Sequence, residues 1–250
     1  MKKSSLSSCI WSASGITEHL GGVKATRHLL KFLPAGENAV ILDLGCGTGF
    51  TTCLLAHQDF PIIFAVDFSF GNLMKSRARI ARKECSSAIR LFCADANHLP
   101  LPNNIINGIM AESVLVFTDL PKSLPEINRA LKSNGILVDN ELTYLSSPPP
   151  EMEKLLTELF GIQTYQKEGW QDQYRRAGLD LANSSAHKIS LIEQMKSHLR
   201  VDGLMNYFNA IYQGLADKTI RRTFFNRELL KPFLSFRTYI GYGLYVLKKK

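Results

Sequence analysis

Short apolar segments alternate with amphipathic segments along the first 145 residues of the chain. Each apolar segment is bounded by glycine or polar residues, which is typical of buried strands, and the segments between them have helical spacing. This pattern predicts strands at AVILDLG (39–45), PIIFAVDFS (61–69), IRLFCADA (89–96), NGIMAESVLVF (107–117) and GILVDNEL (135–142). It predicts helices at FTTCLLAHQ (50–58), GNLMKSRARIARKE (71–84) and PKSLPEINRALKSNG (121–135), the last with Gly135 as its C′ residue.

The pattern changes after SSPPP (146–150). Two further helices, EMEKLLTELFG (151–161) and GWQDQYRRAGL (169–179), precede a predicted strand at DLANSSAHKI (180–189). Residues 191–232 have an amphipathic, helical pattern, and FRTYIGYGLYVLKK (236–249) predicts a last, antiparallel strand.

The alternation of strands and helices predicts the α/β class, with a Rossmann-like, seven-stranded, mostly parallel sheet covered by helices on both faces. We expect a single domain over residues 1–250. Within it, 1–34 would form an N-terminal helical lid, 35–145 the cofactor-binding core, and 146–250 a substrate-side half that carries a helical insertion at about 191–232.

Composition narrows the class of protein. The chain has 250 residues, of which 45% are hydrophobic, enough for one ordinary core. Its five cysteines form no CxxC pair and are odd in number, so we expect a reducing, cytoplasmic environment and no bound metal. The N-terminal residues lack the apolar core of a signal peptide, and no apolar run is long enough for a membrane span.

The net charge of +8 is concentrated near the C-terminus, where residues 200–250 hold ten Lys/Arg and three Asp/Glu. A solvated basic face accounts for this charge, and a nucleic-acid or anionic partner is the alternative. The segment LLKPFLSF (229–236) leaves open a weak peripheral contact with a membrane. Monomer and homodimer both remain open.

The segment ILDLGCGTGF (41–50) places three glycines directly after the first strand. No lysine follows Gly49, which excludes a P-loop. The spacing of Gly45, Gly47 and Gly49 departs from a dinucleotide fingerprint, and the carboxylate of Asp43 would repel a pyrophosphate. That carboxylate would instead attract an ammonium group, which S-adenosylmethionine carries, and this cofactor has no phosphate.

Polar residues recur where the later predicted strands end. Asp67 suits a ribose diol, and Asp95 could accept from an adenine amine, with Phe68 against the ring. In a parallel sheet all these strand ends meet at one edge, so one site is expected there. The residues at this edge are Asp43, Asp67, Asp95, Glu112, Asn140 and Glu141.

The motifs DLGCGTG, VDFS with NLM, and CADANHLPLPNN resemble those of class I S-adenosylmethionine-dependent methyltransferases. The similarity covers about residues 35–145 and is nearer to the small-molecule, type 11 branch that includes quinone-biosynthesis enzymes. The resemblance implies that residues 43–47 hold the methionine end, Gly49 opens the helix, Asp67 binds the ribose, and Glu112 faces the methyl group. The implied cofactor-binding residues are Asp43, Gly45, Cys46, Gly47, Gly49, Asp67, Phe68, Met74, Asp95, Ala96 and Glu112.

Methyl transfer is an in-line displacement, for which the protein orients the groups, excludes water and, for a protic acceptor, supplies a base. Glu112 and His19 are the candidate catalytic residues, followed by Glu141. The candidate substrate contacts are Trp11, His19, Asn140, Glu141 and Trp170. Segments 9–22 and 191–232 would close the site, and a small molecule is the expected substrate.

Three alternatives remain at this stage. The basic C-terminal quarter would suit a methyltransferase acting on RNA or protein, although the chain has no recognised RNA-binding module and has AESV after strand four where N-methylating members carry a proline-rich motif. A non-catalytic S-adenosylmethionine-binding protein would keep the same motifs. A nicotinamide-dependent oxidoreductase is disfavoured by the glycine spacing and by Asp43.

Overall fold

The computed structural model describes residues 19–58, 60–83, 88–190, 192–194, 196–197, 199 and 238–250. Within them, the strands are β1 (Val40–Leu44), β2 (Ile62–Asp67), β3 (Ile89–Cys93), β4 (Ile106–Glu112), β5 (Leu131–Tyr144), β6 (Tyr165–Gln166), β7 (Leu179–Lys188) and β8 (Ile240–Lys249). The helices are α1 (Gly22–Leu30), α2 (Phe50–Ala56), α3 (Phe70–Arg82), α4 (Leu120–Ala130), α5 (Pro150–Lys154) and α6 (Lys167–Arg176). A 3₁₀ turn covers Leu115–Phe117, and a π turn, Leu155–Leu159, continues α5.

The strands form one sheet in the order β3-β2-β1-β4-β5-β8-β7, and the two-residue β6 pairs with β5. Strands β1 to β5 pair in parallel, whereas β8 is antiparallel to both β5 and β7. The predicted seven-stranded, mostly parallel sheet is therefore confirmed, and the short β6 is an addition that its sequence did not indicate.

Two apolar cores lie on opposite faces of the sheet. One packs α4 and α6 against the sheet and contains Leu124, Ile127 and the aromatic residue Trp170. The other packs α1, α2 and α3, with Leu29 and Leu55 completely buried. Because the central parallel strands are covered on both faces, their sequences are mostly apolar, whereas β3, at the edge of the sheet, carries the exposed Arg90.

The boundary between α4 and β5 differs from the sequence prediction. The helix ends at Ala130, and Leu131 already has extended backbone angles, so Gly135 is not its C′ residue. Pairing with β4 shifts register between Ile106 and Gly108, and Asn134 adopts a left-handed φ of 65°. Residues 132–135 are thus a bulge in the strand, which a helical pattern running through them concealed.

The proposed lid and insertion fall largely outside the described residues, as do Trp11 and the segment 229–236. The described part of the insertion contacts the beginning of α1. There, Ser197 Oγ accepts from the Val23 amide at 3.2 Å, and Gln194 Nε2 donates to the His19 carbonyl at 3.3 Å. No helix in the described ranges is both long and apolar enough to cross a membrane.

Candidate functional site

The glycine loop after β1 is shaped by three left-handed residues, Gly45, Gly47 and Gly49, with φ of 71°, 52° and 82°. A Cβ atom at Gly45 would lie 2.2 Å from Val114 Cγ2, and one at Gly49 would lie 2.4 Å from Ser76 Oγ. Among the described residues, a Cβ at Gly47 would meet only the Gly45 carbonyl oxygen, at 3.9 Å. Gly45 and Gly49 are therefore packing positions, whereas no described residue fills the space beside Gly47.

Asp43 is buried near the end of β1 and accepts a hydrogen bond from the Thr52 hydroxyl. Burial raises the pKa of this carboxyl to about 7, against the lowering effect of the Thr52 hydrogen bond, and the nearby charge of Glu112 raises it further. A cationic group brought beside Asp43 would favour its ionised form.

Asp67 ends β2 and ties the glycine loop to that strand. Its Oδ2 accepts from the Gly47 amide and its Oδ1 from the Ser69 amide, both at 2.8 Å. Asn72 Nδ2 also donates to Oδ1, at 3.4 Å. Because each carboxylate oxygen has two lone pairs, these contacts leave acceptor capacity for a further hydroxyl on Oδ2. Thr48 Oγ1, in the same loop, is buried and makes no hydrogen bond within the described part of the chain.

The rim beside β2 and β3 exposes apolar side chains. Phe68 is 77% and Met74 is 47% exposed, which is unusual for large apolar residues and suits a site for a flat apolar group. Asp95 is exposed and holds the Asn97 amide at 2.9 Å, while Ala96 is buried.

Cys46 contributes backbone rather than its thiol. Its side chain is buried in the core beneath the loop, and burial raises its thiol pKa. The Cys46 amide donates to the Val66 carbonyl at 2.9 Å, which fixes the loop against β2.

Glu112, the last residue of β4, lies at the centre of a buried polar cluster. Its Oε1 accepts from Thr26 Oγ1 at 2.8 Å, and its Oε2 accepts from Thr51 Oγ1 at 2.9 Å. His19 Nε2 lies 3.6 Å from Glu112 Oε2 and 3.4 Å from Thr51 Oγ1. The structure thus brings together the two residues that the sequence singled out as catalytic.

Thr26 and Thr51 were missed by the sequence analysis. Thr26 lies in α1, and Thr51 lies beside Thr52 in α2. Helical spacing alone does not distinguish a threonine that faces a carboxylate from one that packs. A polar residue on the buried side of an amphipathic helix is the one signal that was present.

Two of the candidate substrate contacts, Asn140 and Glu141, occupy a different place from the one expected. The sequence predicts them at the ligand edge, where the fifth strand ends, but β5 extends to Tyr144, so both lie inside it and are completely buried. Asn140 Nδ2 donates to the Leu20 carbonyl at 2.7 Å and so anchors the segment before α1. Glu141 accepts hydrogen bonds from backbone amides in the segment after β4.

Trp170 also belongs to the core instead of the substrate side. Its ring is completely buried and stacks on Tyr174 at 5.8 Å between centroids. Its Nε1 donates to the Leu142 carbonyl at 3.1 Å. The aromatic packing around α6 satisfies this side chain fully, which corrects the prediction of a substrate contact.

A glycine loop without a phosphate-binding lysine, an acid at the end of β2 and an antiparallel strand between β5 and β7 are features of a methyltransferase fold. Comparison with known proteins agrees: residues 42–139 match the methyltransferase domain family. The chain is 32% identical over 161 residues to the uncharacterized methyltransferase YodH of Bacillus subtilis, covering 64% of this chain and 68% of that protein.

Two further similarities support this assignment. The chain is 38% identical to the demethylmenaquinone methyltransferase of Symbiobacterium thermophilum over 98 residues, 38% of this chain and 39% of that protein. The structure of the [4+2]-cyclase SpnF superposes with a TM-score of 0.73 at 19% identity, covering 90% of this chain and 80% of that one. The chain belongs to the class I S-adenosylmethionine-dependent methyltransferase superfamily.

Proposed function

We propose that this protein transfers a methyl group from S-adenosylmethionine to a small molecule that loses a proton in the reaction. The observation that carries the proposal is the cradle at Gly47, a space that no described residue fills. It adjoins Asp67, whose Oδ2 accepts from the Gly47 amide, and the carboxyl of Asp43 is close enough to Asp67 for their charges to interact. The named activity of the demethylmenaquinone relative, which acts on a small molecule, supports the choice of substrate class.

The residues around the glycine loop fit this cofactor. Asp43 would bind the ammonium group of its methionine part, and Asp67 would accept from the ribose hydroxyls. The exposed Phe68 and Met74 would cover the adenosine, with Asp95 and Ala96 at the adenine. When bound, S-adenosylmethionine supplies an electrophilic methyl group on a sulfonium sulfur.

His19 is the proposed general base. Its Nε2 faces Glu112 Oε2, so the proton of an acceptor would be taken at Nδ1, and Glu112 would stabilise the imidazolium that forms. Thr26 and Thr51 each donate to one oxygen of Glu112, which fixes the orientation of the carboxylate. A hydroxyl, a thiol or an activated carbon acid is an acceptor that requires such a base.

Label transfer tests the substrate class. Three separate reactions contain the protein and [methyl-¹⁴C]S-adenosylmethionine. The first also contains a deproteinised metabolite extract, the second total RNA and the third a total protein fraction. We expect label in the metabolite fraction alone. Label in RNA or protein alone, or no transfer to any fraction, would refute the proposal.

Variants of His19 test the base. We expect His19→Asn to lower kcat about 100-fold, because general bases contribute in this range. His28→Asn is the matched control, since His28 is an exposed histidine near the end of α1 whose ring contacts Phe32. Equal kcat values for His19→Asn and the wild-type protein would rule out His19 as the base.

A further inference from the structure

We infer that Glu141 is a positioning residue for the cofactor loop, acting through Val114 on Gly45. The inference rests on the proposed function, because it concerns the same site. It assigns a role to a buried acid that touches neither the loop nor any surface open to a ligand.

Glu141 holds the segment that follows β4. It is completely buried in β5, and its Oε1 accepts from two successive amides, those of Val114 at 2.8 Å and Leu115 at 2.6 Å. These amides begin the 3₁₀ turn at Leu115–Phe117 and have no partner inside it. Ser113, with a left-handed φ of 58°, turns the chain so that both amides converge on one oxygen.

Val114 carries this constraint to the glycine loop. A Cβ atom at Gly45 would lie 2.2 Å from Val114 Cγ2 and 3.1 Å from its Cγ1, so the valine side chain occupies the space that a side chain at residue 45 would need. Gly45 is two residues before Gly47, whose open side forms the proposed cradle. The position of Gly45, and with it that of Gly47, therefore depends on the position of the Val114 side chain. Glu141 fixes Val114 by accepting a hydrogen bond from its amide.

The role requires an acceptor oxygen rather than a charge. Burial, with the added effect of neighbouring Asp139, raises the pKa of Glu141 well above its usual range and favours the neutral form. Its Oε2 makes no hydrogen bond with any described residue. A glutamine offers the same carbonyl oxygen to the two amides, so Glu141→Gln should preserve the function and Glu141→Leu should not.

Amide hydrogen exchange and calorimetric titration with S-adenosylhomocysteine form the test. In the unliganded protein, Glu141→Leu should raise exchange about tenfold at Val114 and Leu115 and also in residues 45–47. It should weaken S-adenosylhomocysteine binding about tenfold, while Glu141→Gln stays within about threefold of the wild-type protein. Val114→Ala, which removes the contact with Gly45 but keeps the amide, should raise exchange in residues 45–47 alone.

Thr143→Val is the matched control. Thr143 is another buried polar residue of β5; its hydroxyl donates to the Glu141 carbonyl at 3.0 Å and is bonded to Tyr245 Oη at 3.0 Å, so Thr143→Val disturbs the backbone beside Glu141 and leaves the Glu141 carboxyl in place. Its substitution should lower stability and leave both readouts unchanged. If Thr143→Val weakens binding as much as Glu141→Leu, the effect is general destabilisation and the inference is wrong.

Other outcomes separate the inference from the function on which it rests. Unchanged exchange in residues 45–47 in both Glu141→Leu and Val114→Ala would refute the positioning role, whatever the affinity. If Glu141→Leu does not fold, Val114→Ala decides the same question. A wild-type protein that does not bind S-adenosylhomocysteine would refute the proposed function, and the exchange data would still report on the link from Glu141 to Gly45.

Discussion

The hydroxyl of Thr26 donates a hydrogen bond to Glu112 Oε1 at 2.8 Å, across 86 positions of the chain. This bond joins α1 to the end of β4 and is buried. It leaves Glu112 Oε2 for Thr51 and for His19. The N-terminal helix is thus part of the site as well as a cover for the sheet.

Thr26→Val should disturb the orientation of the Glu112 carboxylate and leave binding of the cofactor nearly unchanged. The substitution keeps the shape of the side chain but leaves a buried carboxylate oxygen unsatisfied, which costs about 1–3 kcal/mol of unfolding free energy. We expect kcat to fall about tenfold and the Kd for S-adenosylhomocysteine to change less than threefold. Urea denaturation, steady-state kinetics and calorimetry measure these three quantities. A large loss of affinity with unchanged kcat would contradict the role given to Thr26.

Gly47→Ala should act mainly on cofactor binding, and Gly49→Ala mainly on stability. A Cβ atom at Gly47 would clash with no described residue, so this variant should fold with a loss of about 1–2 kcal/mol for its left-handed φ and should obstruct the cradle. A Cβ at Gly49 would lie 2.4 Å from Ser76 Oγ, so stability should fall further. Thermal unfolding and titration with S-adenosylhomocysteine distinguish the two. Full affinity in Gly47→Ala would mean that the open space is not the binding site.

Stability should depend on pH through Asp43. Its pKa of about 7 in the folded protein exceeds the ordinary 3.8, so between these values the folded state holds a proton that the unfolded state has released. Its contribution to stability is fully present below about pH 4 and is lost as the pH rises through 7.

Asp43→Asn checks this dependence. In urea denaturation of the unliganded protein at pH 5 and pH 8, the wild type should lose more unfolding free energy over this interval than the variant. Asp180→Asn is the control, because Asp180 is about half exposed beside Lys250. Equal losses in Asp43→Asn and the wild type would contradict the shifted pKa.

Lys249 should stabilise the junction of α4 and β5. Its Nζ donates to the carbonyls of Asn128 at 2.6 Å and Leu131 at 2.8 Å, and to Asn104 Oδ1 at 2.8 Å. Lys249→Met should therefore lower the free energy of unfolding by about 1–3 kcal/mol. The adjacent and exposed Lys248 is the control, and Lys248→Met should change it by less than about 0.5 kcal/mol. Equal losses of unfolding free energy in Lys249→Met and Lys248→Met would contradict a stabilising role for Lys249.

Strands β1, β2, β4 and β5 were predictable because burial on both faces makes most of their residues apolar, and the glycine loop was predictable because its spacing is specific. The ends of elements were less predictable. The helical pattern of α4 continues into Leu131 and Lys132, whereas the extended backbone of Leu131 and its pairing with Ile106 show that a strand has begun. The sequence likewise predicts that the fifth strand ends at residue 142, with Asn140 and Glu141 at the ligand edge, but β5 runs to Tyr144 and buries both.

Contacts between distant segments were beyond the sequence analysis. The link from Thr26 to Glu112 depends on the rotation of α1 about its axis, which no local pattern sets. Trp170 stacks on Tyr174 of its own helix, but its burial also depends on Tyr245 of β8, which is far away in the chain. From residue type, Trp170 and Glu141 were predicted to contact substrate. Both are completely buried: Trp170 packs in the core, and Glu141 accepts hydrogen bonds from backbone amides.

Calorimetric titration of the unliganded protein with S-adenosylmethionine, S-adenosylhomocysteine and NAD tests the central claim most directly. We expect binding of both adenosyl compounds, no binding of NAD, and a loss of about tenfold or more in affinity for Asp67→Ala, which removes the proposed ribose contact. Binding of NAD, or the absence of binding by either adenosyl compound, would contradict the assignment of the glycine loop.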